Sequence, residues 1–395
     1  MPVLNTEDLF AEFSTTSKEE WLAKVVKDLK GKPLEDLSWQ LEEKIELTPF
    51  YHPDDLVNAP MPLVQAREKS GWEVGEYTVV SDVKKANKEA LEGLTGGVEA
   101  PMFVLRHELG EEALEQLLAG INVQYISTQF AQLYPDRAPL KLLEQWLHLL
   151  EKSGVDKSLV RGSIDFDPLL DWEEPPMEDL ARGLKLCGEQ LPQFRFLQIN
   201  ARPFHGEVDQ TSRELAFTIA KGSEYLAQLD RYGLQPEAIL PHLQFSVAVG
   251  NSFFVEIAKL RALRLLWQQV VDAYQVKLNI APRIIGHFAL ESQTKDPHQN
   301  MIQAATQSMS AVMGGVDALY VLPANAALRA PSSGFTRRIA RNVQHILKME
   351  SYLDRVLDPA AGSYYIETLT DKLAEAAWEQ FCKIEKAGGF MDFKE

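Results

Sequence analysis

Asp165 and Asp167 flank Phe166 at the end of an apolar run, Leu159–Ile164. Two carboxylates so placed suit a hard cation or an acid–base pair. With His205 downstream they would make a metal-dependent barrel hydrolase. The same acids could instead cap the next segment or pair with arginine, and this structural role is the simpler one. His287 and His298 are further ligand types, but their spacing fits no helical or zinc-ribbon pattern and no Cys/His cluster stands near. Arg337, Arg338 and Arg341 share a helical face, which reads as a solvated or partner-pairing surface. Gly314-Gly315 and Gly388-Gly389 lack the spacing of a phosphate loop, and no G-x-S-x-G elbow occurs. Gly314-Gly315 instead reads as a helix end, where glycine supplies the left-handed cap.

These residues need elements to position them. From about residue 98, short apolar runs alternate with helical stretches. The runs are Met102–Leu105, Val123–Ser127, Leu159–Ile164, Phe196–Ile199, Leu243–Val249, Arg283–Phe288, Ala318–Leu322 and Arg355–Leu357. Near-continuous apolar strands separated by helices predict a parallel sheet covered on both faces. Eight such units predict an α/β fold, a closed (β/α)8 TIM barrel. Strand C-terminal ends then carry any site: Arg106 and His107, Thr128, Asp165 to Asp167, Asn200 to His205, Gly250 and Asn251, His287 to Glu291, Pro323 to Asn325, and Asp358.

The first 85 residues read differently. Ser17-Lys-Glu-Glu20 is a capping box, followed by Trp21, Leu22, Val25, Val26 and Leu29 at helical spacing. Thr48-Pro-Phe-Tyr-His-Pro and Ala59-Pro-Met-Pro62 read as an extended arm with too little apolar surface to fold alone. The expected organisation is an arm at 1–85 that serves as a subunit-contact segment, a barrel at 86–390, and a tail or linker start at 391–395.

The chain has 395 residues, 45% hydrophobic and 25% charged, enough for a large core. Its net charge of −17 disfavours nucleic acid and anionic membranes. No apolar run approaches the ~20 residues of a membrane span, and the N-terminus lacks signal-peptide features. Cys187 and Cys382 sit in helical apolar patterns and read as free thiols, which suits a reducing cytoplasm.

Several segments carry a resemblance. Asp296-Pro-His-Gln-Asn-Met301 leading to Met313-Gly-Gly-Val-Asp-Ala-Leu319, Gly334-Phe-Thr-Arg-Arg-Ile-Ala-Arg-Asn342, and Asp358-Pro-Ala-Ala-Gly-Ser-Tyr-Tyr-Ile-Glu367 are similar to the end of the barrel in the adenosylcobalamin-dependent acyl-CoA mutases. The stretch from Leu243 to Arg261 and Trp21-Leu-Ala-Lys-Val25 resemble the same family. Asp296 and His298 also match part of the Asp-x-His-x-x-Gly signature of base-off cobalamin proteins. Met301 replaces the glycine, however, so Asp296 reads as a helix cap with Pro297 at the first position.

The resemblance implies a barrel that binds an acyl-CoA along its axis, with radical chemistry supplied by the cofactor. It also exposes departures. Where catalytic members carry a Tyr-His pair, this chain has Arg202 and Pro203, and Pro has no side-chain donor. Asp165 stands where the family has a glutamine, and would repel a dicarboxylate. Ala326, after Asn325, replaces the acidic contact to the adenosyl group. No Arg-containing CoA clamp is recognisable ahead of Gly71-Trp72. Tyr77 and His205 are the remnants suggested by the resemblance. Gly162-Ser-Ile-Asp-Phe-Asp-Pro-Leu169 is similar to the family's small-subunit class.

The expectation is therefore a non-catalytic small (beta) subunit that binds no cofactor or metal itself. Adenosylcobalamin is expected in its partner, a large (alpha) subunit, with a homodimer as the alternative for the isolated chain. No nucleic-acid or membrane partner is expected, and the location is cytoplasmic. The alternative is an active mutase barrel that borrows cobalamin from a separate subunit.

Overall fold

The computed structural model describes residues 16–56, 69–277, 280–329 and 332–393. The Pro-rich run at 59–62, expected in the arm, lies outside them.

In chain order the barrel strands are Glu73–Val80, Ala100–Leu105, Ser127–Gln132, Arg161–Ile164, Phe194–Arg195 continued by Leu197–Asn200, Leu243–Val249, Arg283–Phe288 and Ala318–Tyr320. Neighbours pair in parallel, and Glu73–Val80 pairs with both Ala100–Leu105 and Ala318–Tyr320. The two edges of the sheet, Phe194–Arg195 and Leu197–Asn200, are one run interrupted at Phe196. The sheet is thereby a closed barrel wrapped by helices, as the alternating pattern predicts.

Two expected strands are corrected. Arg355–Leu357 is not a strand; it lies in a turn segment between the helices Gly334–Met349 and Tyr364–Lys386. The missing strand is Glu73–Val80, inside the segment read as an arm. Its two glutamates disguise it, because both are neutralised by distant arginines. Glu73 pairs with Arg161 (2.6 Å) and Arg283, while Glu76 pairs with Arg337 and Arg341. The expected strand Val123–Ser127 is displaced to Ser127–Gln132, so Thr128 is not a strand end.

Outward residues of the strands, among them Phe103, Phe130 and Phe245, are fully buried beneath the helices. Phe130 meets Trp146 edge-on, and Phe245 meets Trp267 likewise. Helix ends follow sequence signals. Ser17 and Glu20 close their capping box. Asp296 accepts from the His298 backbone with Pro297 at the first helical position, and Gly315 ends that helix at φ 93°.

The inward side is polar at mid-height. Gln244 Nε2 donates to Ser163 Oγ (2.8 Å) and Gln198 Oε1 (2.9 Å). Ser163 in turn donates to Gln129 Oε1, and Gln129 Nε2 donates to Ser127 Oγ (2.9 Å). These hydrogen bonds join four strands across the lumen. Tyr320, fully buried, fills the neighbouring space because Gly75 has no side chain: a Cβ there would lie 2.6 Å from the Leu319 carbonyl and 2.7 Å from the Tyr320 ring. His287 stacks on Tyr320 (4.9 Å, 11°), and Tyr77 lies 5.1 Å away.

The N-terminal region is a helix, Lys18–Asp28, and an antiparallel hairpin, Trp39–Glu42 with Ile45–Leu47. Leu41, Ile45 and Leu47 are buried in the main core. Glu42 accepts from the Ser212 backbone N–H (2.8 Å), capping the helix Thr211–Asp230. By contrast, the helix Lys18–Asp28 buries none of its residues. No helix among the described residues is long and apolar enough to cross a membrane.

Gly75→Ala is expected to lower stability by about 1–3 kcal/mol through overpacking. Adding Tyr320→Ala should make the two losses less than additive, a coupling measurable by urea unfolding of the single and double variants.

Candidate functional site

Asp165 and Asp167 follow the strand Arg161–Ile164, where the regular alternation has ended, and they enter different surroundings. Asp165 faces the C-terminal mouth of the barrel, with Ser163 Oγ 3.4 Å from its Oδ1. Burial pushes its carboxyl up to about 6, against the opposing charge of Arg202 and a hydrogen bond from Gln198. Arg202 comes from the turn after Leu197–Asn200, and its Nε donates to Asn200 Oδ1 (3.0 Å). The Tyr77 hydroxyl lies 2.5 Å from His287 Nδ1. Burial raises the Tyr77 phenol and, with the charge of Arg202, holds His287 well below its usual value, so the imidazole is neutral. Asp165 and Arg202 thus lie just past two strand ends, with the hydrogen-bonded Tyr77 and His287 inside the barrel on other strands.

Asp167 points under the helices. It accepts from Lys221 Nζ, Tyr225 OH and the Asn200 backbone N–H (2.8 Å). Burial pushes Asp167 up and Lys221 down, and their mutual contact opposes both shifts. This is the structural use of the acid, with lysine in place of arginine. His205 Nδ1 lies 2.9 Å from Glu214 Oε2, and Lys259 bridges Glu214 and Glu256 at 3.3 and 2.9 Å. Burial alone would raise Glu214, but Lys259 foremost, with His205, leaves it below its usual value. Asp165, Asp167 and His205 thus serve three separate environments. No group of three or more His, Cys, Asp or Glu able to hold a metal occurs among the described residues.

The remaining sequence candidates scatter. Pro203 sits in the turn Arg202–Phe204, and Ala326 opens the turn Ala326–Leu328. His298 is exposed at a helix start, whereas His287 is buried. Asp358 is no strand end; it forms a buried ion pair with Arg261, which also holds Glu367. Arg337 and Arg341 clamp Glu76, while Arg338 stays exposed. Cys187 is buried, its thiol pushed up to about 12, and Cys382 is also free. Sequence reading missed Lys221, Glu214 and Lys259, charged residues inside long helices whose only signal is their place on an otherwise apolar face. It also missed the lumen glutamines and Tyr320. At the opposite end of the barrel, a cavity of about 600 Å3 is lined by Glu73, Arg161, Arg195 and Arg283.

Asp165 ties stability to pH. Between the ordinary value near 3.9 and about 6, the folded chain holds a proton that the unfolded chain has released. Its contribution is fully favourable below pH ~4 and is lost as pH rises through 6, on the order of 2–3 kcal/mol in all. Asp165→Asn should therefore be the more stable protein at pH 8 and equal to the parent at pH 4, read by urea unfolding at both values.

The sequence profile described as methylmalonyl-CoA mutase matches residues 111–394. The methylmalonyl-CoA mutase small subunit of Porphyromonas gingivalis is 35% identical over 418 residues, covering 98% of this chain and 66% of that one. The small subunit of Streptomyces virginiae is 34% identical, covering 96% and 65%. That of Propionibacterium freudenreichii subsp. shermanii is 28% identical, covering 97% and 64%. The chain spans about two thirds of the length of these relatives. With the profile matched over most of its length and such identity across nearly all of it, the chain belongs to the methylmalonyl-CoA mutase family.

Proposed function

We propose that this chain is the small, non-catalytic subunit of a methylmalonyl-CoA mutase, acting as scaffold to a large subunit that binds adenosylcobalamin and interconverts methylmalonyl-CoA and succinyl-CoA. The observation that carries this reading is the filled barrel axis. Tyr320 occupies the notch at Gly75, and Gln244, Ser163 and Gln129 bond across the lumen. A substrate arm threaded along the axis would have to displace all of them.

The mouth supports the same reading. The cofactor would supply radical chemistry, and the protein would have to offer polar contacts to its adenosyl group and to a thioester. Ala326 presents only a methyl group and Pro203 no donor, while Arg202 Nε is engaged by Asn200. These residues do not fit the group. An active barrel that borrows cobalamin is opposed by the same features.

The N-terminal segment fits a partner contact. Trp21, Val26, Leu37 and Trp39 are 37%, 54%, 42% and 41% exposed. Beside them, Trp21, Leu22, Leu34, Phe50 and Tyr51 line a largely apolar cavity of about 610 Å3. An apolar helix face left in water is stabilised by burial against another chain.

Co-expression with a cognate large subunit should yield a 1:1 complex by size exclusion with light scattering. Trp21→Ser with Val26→Ser should weaken it roughly 10- to 100-fold while leaving the isolated barrel folded. Two separate peaks at micromolar concentration, or turnover of methylmalonyl-CoA by this chain supplied with cofactor and a cobalamin-binding protein, would overturn the assignment.

A further inference from the structure

The mouth has lost the catalytic pattern of its family, yet it holds an arrangement of its own. Asp165 follows the strand Arg161–Ile164 and Arg202 follows the neighbouring run that ends with Leu197–Asn200, so both stand at the same end of the barrel, but neither forms an ion pair with the other or with any other described residue. The Arg202 side chain makes its hydrogen bond through Nε alone, to Asn200. The terminal guanidinium nitrogens are free to bind. On the other side, Asp165 has a long contact to Ser163 and a bond from Gln198, neither carrying charge. A half-buried acid and a half-buried base that do not meet leave a gap suited to a bridging ligand.

The rest of the mouth limits what that ligand is. Tyr77 and His287 close the space below, joined by their hydrogen bond and stacked at 5.9 Å. They present ring surface rather than charge, since the imidazole is neutral. The axis beneath is filled by Tyr320, so nothing long can enter. At the rim, Val79 and Leu133 are 47% and 53% exposed, giving an open approach. A dicarboxylate is repelled by Asp165, and a simple amine by Arg202. A short molecule bearing both signs satisfies the two groups at once.

We propose that the C-terminal mouth binds a free α-amino acid, its ammonium on Asp165, its carboxylate on Arg202 and its side chain against Tyr77 and His287. The site needs neither catalysis nor a partner, and stands apart from the scaffold assignment. It would let a small metabolite bind a chain that performs no chemistry itself.

The experiment is titration of L-alanine into the isolated chain at pH 8, by calorimetry and ligand-observed NMR. Propionate and propylamine, each carrying one of the two charges, are the controls. Saturable 1:1 binding with Kd at or below about 1 mM is expected, with both controls at least roughly tenfold weaker. Asp165→Asn should lose alanine but gain propionate, and Arg202→Gln should lose alanine but gain propylamine. That inversion of preference separates ligand contact from a general loss of fold, which would weaken every ligand alike. Absence of saturation by L-alanine, or unchanged preference in both variants, overturns the proposal. Either result leaves complex formation with a large subunit, read by light scattering, unaffected.

Discussion

One carboxylate holds the barrel's closure together. Glu73 opens the first strand and reaches Arg161 with one oxygen and Arg283 with the other. The first strand is thereby tied to two strands with which it does not pair. Without that fork, the largely buried Arg283 would keep only Asp317 as a nearby countercharge, while Arg161 would turn to solvent and the Tyr125 carbonyl. Closure at Glu73–Val80 also fixes Gly75 opposite Tyr320, which sets what fills the axis.

That fork explains why the fold was only partly legible. Six of the strands announce themselves as apolar runs, because both faces of a barrel strand are shielded from water. Glu73-Val-Gly-Glu-Tyr-Thr-Val-Val80 does not, since its charges are cancelled by Arg161, Arg283, Arg337 and Arg341, 88 to 265 residues away. Ser127-Thr-Gln-Phe-Ala-Gln132 failed for a related reason. Its inward Ser127 and Gln129 belong to the lumen network, so the strand looks polar and the apolar text just upstream drew the reading away. Local hydropathy cannot report a polar group whose partner is supplied by the tertiary fold.

The site was legible in position more than in role. Strand ends correctly gather Asp165, Arg202 and His287, because in a barrel every strand delivers its C-terminus to one face. Roles depend on contacts that spacing does not carry. Asp165 and Asp167 are equivalent in sequence, yet one faces the mouth and the other meets Lys221, 54 residues onward. His205 looks like a remnant until Glu214 claims its Nδ1. Arg355–Leu357 lent Asp358 a false strand end, when the acid in fact belongs to Arg261.

The polar lumen has its own logic. A barrel interior is ordinarily packed with branched apolar side chains. Here one side of the interior is glutamine and serine, while Ala100, Met102, Val104, Ile285 and Ala318 form an apolar cluster on other strands. The polar side, left empty, would strand buried donors and acceptors at roughly 1–3 kcal/mol each. The chain meets much of this need internally, although Gln244 Oε1 and Ser246 Oγ keep no partner. Gln244 reaches Ser163 and Gln198, and Ser163 reaches Gln129, so side chains take the places that a guest would fill. Glutamine suits the task because one amide both donates and accepts across a gap too wide for serine alone. The barrel thus keeps polar walls while closing the passage, and the rings of Tyr320 and His287 complete the seal where Gly75 leaves room. Closure of this kind stiffens the barrel between the cavity lined by Glu73, Arg161, Arg195 and Arg283 at one end and the mouth with Asp165 and Arg202 at the other.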